Sequence, residues 1–145
     1  MFMNKINKKE DISTNEEWHL LDANNQVLGR VAVKAAALLL AKHRTDFAKN
    51  NVAPVKVVII NTDRVALTGK KEEQKKYYRY SGYPGGMRER TVKDQRARDS
   101  RKILEFAISG MLPKNNLRKL RMRNLKLYKN DQHPHSAQEF LIDKL

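Results

Sequence analysis

The chain has no cysteine. That excludes disulfides, thiolate catalysis and Cys-ligated zinc, and it fits a reducing compartment. No apolar run approaches the ~20 residues that a helix needs to cross a bilayer. The opening stretch, MFMNKINKKEDISTNEE, holds no hydrophobic signal region, and its acidic residues Glu10, Asp11, Glu16 and Glu17 argue against a transit peptide. Residues 1–17 therefore read as a mobile polar tail, ahead of a single domain over residues 18–145. Negative charge is also scarce. The 145 residues carry 16 Asp and Glu against 30 Lys and Arg, a formal net charge of +14.

What is present suffices for one core. A chain of this length buries roughly 70% of the surface exposed by its unfolded form. The positive excess is concentrated. Lys70 to Lys129 holds 19 basic and 6 acidic residues, whereas the rest of the chain holds 11 and 10. A basic block of this kind points first to nucleic acid, then to an anionic membrane, then to an acidic protein. The membrane reading is disfavoured, because Gly, Pro and Asn break the cationic stretch and it lacks Trp and Phe anchors.

Periodicity suggests an α/β chain. Trp18–Asp22 reads as a strand, and Leu28–His43 as a helix with Leu28, Val31, Ala35, Leu38 and Leu39 at helical spacing. Lys42, His43 and Arg44 at its end either form a solvated cationic helix terminus or contact phosphate. Val55–Asn61 is apolar on both faces apart from Lys56, as a central strand is. Strand, helix and strand make a parallel crossover unit. Residues 64–68 form either another strand or a segment re-aimed by a turn at 62–65. Residues 70–76 form either a helical turn or a solvated charge run.

Tyr77–Gly86, YYRYSGYPGG, holds four of five tyrosines and three of six glycines, and reads as an irregular loop. Such a loop either lays tyrosines on nucleobases, with Arg79, Arg88 and Arg90 bracketing it, or packs them on the domain. A capping box at Thr91 and Asp94 starts a short polar helix. Ser100 is the expected N-cap of the next helix, with Gly110 its terminator and Pro113 preventing resumption. Residues 116–123 suggest a further helix, and Leu125–Tyr128 a last strand. The segment Ile103–Tyr128 joins an apolar half to a run, Lys114–Lys129, with seven Lys or Arg and no acid. It should be an ordered joint, with Met111, Leu112, Leu125 and Leu127 buried and Lys114, Arg121 and Arg123 outward.

No catalytic constellation emerges. Thr68-Gly69-Lys70 resembles the end of a phosphate-binding loop, but Arg64 stands where that loop needs glycine and no Ser or Thr follows Lys70. The turn after the first strand has one glycine, Gly29, which disfavours a nucleotide-dependent enzyme on a Rossmann-like sheet. His133 and His135 have no accompanying ligand set, so a metal is not expected there.

Several stretches together are similar to one family. They are WHLLDANNQVLGRVA (18–32), VVIINTDRVALTGKK (57–71), YYRYSGYPGG (77–86), GMLPK (110–114), LKLY (125–128) and HPHSAQ (133–138). The chain resembles the large-subunit ribosomal protein L-thirteen family, in its bacterial form. The resemblance departs at Tyr80, where histidine is usual, at Arg118, where glycine is common, and in a longer N-terminal lead.

The resemblance implies a three-layer α/β/α fold around a four-stranded, mainly parallel sheet with extended basic loops. It implies a non-catalytic constituent of the cytoplasmic ribosome that binds large-subunit rRNA of the bacterial 23S type and acts early in assembly. The partners implied are that rRNA and neighbouring ribosomal proteins, with no cofactor, metal, small-molecule substrate, membrane or homo-oligomer. The alternative is a free RNA-binding regulator using the same face. The residues expected to meet RNA are Lys42, His43, Arg44, Lys70, Lys71, Arg79, Tyr80, Ser81, Gly82, Tyr83, Gly85, Gly86, Arg88 and Arg90. With them stand Lys114, Asn115, Arg118, Lys119, Arg121, Arg123, His133 and His135.

Overall fold

The structure, a computed structural model, describes residues 16–142. The expectation of a mobile tail falls, for residues 1–15, outside the described residues. Glu17 already belongs to β1 (Glu17–Asp22). After it come α1 (Leu28–Leu39), β2 (Val55–Ile60), α2 (Lys71–Gln74), β3 (Lys76–Tyr80) and β4 (Met87–Thr91). Then follow α3 (Val92–Asp99), α4 (Arg101–Met111), α5 (Leu117–Arg123), β5 (Leu125–Leu127) and β6 (Phe140–Ile142).

The fold is α/β around a four-stranded sheet in the order β5-β2-β1-β6, and every pairing in it is parallel. β2 is central because it can be apolar on both faces. Val55, Val57 and Ile59 join a core with Leu21 and with residues of α1 and α4. Val58 and Ile60 point the other way, against Trp18, with Leu20, Tyr128 and Phe140 packed beside them. The period of two along a strand divides the apolar set between the two faces. Each such side chain, fully buried, contributes about 1.5–3 kcal/mol relative to exposure.

Two local expectations need correction and two are refined. α1 stops at Leu39, not His43, because Ala41 takes a left-handed φ of 55°. The Ala41 N–H then donates to the Leu38 carbonyl (2.8 Å) and the Lys42 N–H to that of Ala37 (3.2 Å), closing the helix as a Schellman motif without glycine. Gly110 lies inside α4. The helix ends at Leu112, which is extended (ψ 148°), as the residue before Pro113 is pressed to be. Ser100 stands at the N-cap of α4 as expected, but its side chain makes no capping hydrogen bond there. Its hydroxyl donates to the Asp63 carboxylate and meets the Thr62 hydroxyl at 3.3 Å, fastening α4 to the turn after β2. Of the two readings of residues 64–68 the turn holds: Thr62–Arg64 is a 3-10 turn, and Ala66 makes one parallel bridge to Val27. That bridge stitches the start of α1, with the Leu28 N–H donating to the Ala66 carbonyl (3.0 Å).

Two larger features were not expected. Tyr77–Gly86 is not wholly a loop: its tyrosines lie largely on β3, which pairs with β4 as an antiparallel hairpin outside the main sheet. The fourth strand of the main sheet is β6, three apolar residues paired with Trp18–Leu20.

Candidate nucleic-acid interface

The hairpin of β3 and β4 has two chemically distinct faces. Strand alternation puts Tyr77, Arg79, Arg88 and Arg90 on one and Tyr78, Tyr80, Met87 and Glu89 on the other. Tyr77 anchors the base: it is half-buried and its ring lies 5.2 Å from that of Phe106. Burial raises the pKa of its hydroxyl. Further out, Arg79 stands directly opposite Arg88. Like charges in that position destabilise a sheet pair, and both side chains are exposed. On the other face Tyr78, Tyr80 and Met87 are 64%, 62% and 62% exposed, with Tyr83 at the tip at 76%. This exposed row includes Tyr78 and Met87, which the sequence reading does not single out, although the spacing of Tyr78 and Tyr80 by two carries the signal for the tyrosines.

The tip needs its glycines. Gly82 and Gly85 have φ of 90° and 72°. A Cβ on Gly86 would lie 2.9 Å from the Tyr83 carbonyl oxygen and run into the Ser81 hydroxyl. The Gly86 N–H donates to that Tyr83 carbonyl at 2.9 Å, while Ser81 donates to the Gly86 carbonyl at 3.2 Å. This holds Tyr83 outward on a short, closed loop.

A second cationic region follows α4. Lys114 and Asn115 lie exposed in the turn before α5, and Lys119 and Arg123 are exposed on the helix itself. Arg118 is half-buried. Lys70 and Lys71 open α2 and are exposed, with the Lys71 ammonium donating to the Thr68 hydroxyl at 3.0 Å. Among the described residues, Arg79, Arg88, Lys114, Lys119 and Arg123 make no ion pair and no side-chain hydrogen bond. Arg90, in contrast, donates to Gln95 at 3.1 Å.

Other expected contacts are occupied within the protein. Arg121 faces inward, not outward: it is 2% exposed and donates to the carbonyls of Lys49 (3.3 Å) and Asn51 (3.1 Å). The reason is position. Its side of α5 is turned toward the chain that leads into β2, whose carbonyls lack strand partners there. Met111 is 41% exposed, because the chain leaves α4 at Leu112 and that side chain, 2% exposed, enters the core instead. Leu125 and Leu127 are half-buried at the sheet's edge. Arg44 pairs with Glu17 (2.8 Å) and Asp46 (2.7 Å), and His43 meets Glu17 at 3.0 Å. Lys42 remains exposed.

His133 and His135 sit in a ring stack on the sheet face opposite α1. The His135 ring is 5.0 Å from that of Trp18, and its Nε2 is 2.9 Å from the Tyr128 hydroxyl. The His135 backbone N–H donates to His133 Nδ1 at 3.3 Å. Desolvation first, then the charges of His133, Lys126 and Lys56, lower the His135 pKa. A lowered folded pKa means that protonation favours the unfolded chain. Stability from this group is complete above the ordinary histidine pKa, near 6.5, and is lost as pH falls through the folded value. The thermal midpoint is therefore expected to fall on acidification below about 6.5, and a His135→Gln variant should lack that branch. Superimposable pH profiles for the two proteins would show that His135 is not its source.

Comparison with known proteins follows the same lines. The family described as "Ribosomal protein L13" matches residues 16–134. A protein of Solibacter usitatus called "Large ribosomal subunit protein uL13" is 46% identical over 125 residues, covering 86% of this chain and 87% of its own. Proteins of the same description from Mycobacterium tuberculosis and Roseiflexus sp. are 46% and 43% identical. They cover 87% and 85% of this chain, and 86% and 84% of their own.

Proposed function

The chain belongs to the ribosomal protein L13 family, and on that premise we propose that it is a structural, non-enzymatic constituent of the bacterial large ribosomal subunit in the cytoplasm. It binds 23S-type rRNA through its unpaired cations, contacts neighbouring ribosomal proteins, and supports early assembly of the subunit. It acts as one copy, a single domain over residues 18–145 with a polar lead.

The placement of Arg79 directly opposite Arg88 carries this reading. An exposed guanidinium pair with no carboxylate partner is self-repelling in the free protein. RNA phosphates convert the repulsion into attraction and release counterions. Lys114, Lys119 and Arg123 offer a second set of contacts from a packed scaffold, which avoids the ordering cost of a disordered basic arm. Phosphate contacts fix position and orientation. Tyr78, Tyr80 and Tyr83 add stacking on unpaired bases, worth about 1–3 kcal/mol per base.

The same face would also suit a free RNA-binding regulator. Sedimentation of cell extract separates the two. A subunit constituent co-migrates with large subunits through a moderate-salt wash. Protein found wholly in the light fractions would support the regulator and overturn the ribosomal assignment.

A further inference from the structure

The start of β1 and the turn after α1 bring together one carboxylate and two imidazoles. Glu17 and His19 are two apart on β1, so they share one side of the strand. His43 comes from the turn that the left-handed Ala41 creates at the end of α1. Glu17 Oε2 lies 3.0 Å from His43 Nε2 and 3.8 Å from His19 Nε2, and the three donor atoms all fall within 4.8 Å of one another. We propose that Glu17, His19 and His43 form a site for a borderline transition-metal ion, with zinc the natural occupant.

The spacing suits that ion. Three donors at zinc–ligand distances of about 2.0–2.1 Å in a tetrahedron stand about 3.3 Å apart, between the two separations observed. Two imidazoles and one carboxylate select against magnesium and calcium, which take oxygen sets. The set leaves the fourth position for water.

Electrostatics favour a cation here, despite the chain's net charge of +14. Arg44 donates to the other carboxylate oxygen, Glu17 Oε1, at 2.8 Å, and to both oxygens of Asp46 at 2.7 and 2.9 Å. Two carboxylates around one guanidinium leave the cluster with a net negative charge while the imidazoles are neutral. The Arg44 contact also orients Glu17 and leaves Oε2 directed at the two histidines, as outer partners of metal ligands do. His19 is 4% exposed and fixed on a central strand, which preorganises one donor.

The test is cobalt(II) titration of the chelator-stripped full-length chain at neutral pH, followed by zinc displacement and thermal melts. The expected result is saturable one-to-one binding with visible absorption, reversed by zinc, and a thermal midpoint that rises with zinc. His43→Gln, at an exposed position, and Glu17→Gln should each weaken binding by at least about tenfold, while His133→Gln leaves it unchanged. Absence of saturable binding would overturn the proposal. So would binding that survives His43→Gln, or binding lost in His133→Gln, which would place the ion among the C-terminal histidines.

Discussion

Replacing Arg121 with Ala is expected to destabilise the protein by about 3 kcal/mol. The side chain is buried, and its guanidinium satisfies the carbonyls of Lys49 and Asn51 from the segment entering β2. Hydrogen bonds from a charged donor contribute about 1.5–3 kcal/mol each, and the orphaned carbonyls would have to find water. The apolar stem packs as well. The thermal midpoint should fall on the order of 10 °C. Arg123 is the internal control. It lies two residues along α5, exposed and without a partner in the described structure, and Arg123→Ala should change stability by no more than about 0.5 kcal/mol. Equal losses in the two melts would show that Arg121 is not an anchor. The contrast separates two uses of arginine in one helix: one ties the scaffold together, the other is available to a polyanion.

The second large effect has opposite signs in two assays. Changing Arg79 and Arg88 together to Ala should leave the free protein as stable as before or slightly more so, by about 0.2–1 kcal/mol, because a like-charge pair across the hairpin is removed. The same change should weaken rRNA binding on the order of 10-fold to 100-fold at moderate salt, since two phosphate contacts and their released counterions are lost. A purely structural arginine pair would lose stability and binding together. A pair irrelevant to RNA would leave affinity unchanged.

Much of this was legible in the residues. β2 announced itself through VKVVII, whose apolar character on both faces permits only a central position. The Thr91 hydroxyl does accept from the Asp94 N–H, as the capping-box spacing suggested. The limits had local causes. β6 was invisible because three apolar residues near a polar end carry no period, and only pairing with β1 defines them. The hairpin is obscured because Gly and Pro dominate residues 81–86, which gives Tyr77–Gly86 the composition of a loop, and because the short alternations in KYYRY and MRERT are dense in charge. Arg121 was misplaced because helical spacing gives the angle of a side chain around its own helix. It does not reveal that a neighbouring loop will present unpaired carbonyls on that side.

The cationic site shows the same division. The charge excess of residues 70–129 located the basic region, but sequence could not separate internally bonded cations from available ones. Arg44 is held by Glu17 and Asp46, and Lys76 by Glu89 at 2.9 Å. Arg79 and Arg88 oppose each other. Partner geometry, not charge count, makes that distinction, because an exposed ion pair contributes only about 0–1 kcal/mol yet occupies the cation's donors.

Binding of the full-length chain to a large-subunit rRNA fragment, measured over a range of salt concentrations, bears most directly on the electrostatic reading. The expected plot of log affinity against log salt is steeply negative, by about 0.7–0.9 for each phosphate neutralised. The Arg79→Ala, Arg88→Ala double variant should be shallower by about 1.4–1.8. A slope near zero for the unmodified chain, or identical slopes for the two proteins, would contradict recognition of RNA by these cations.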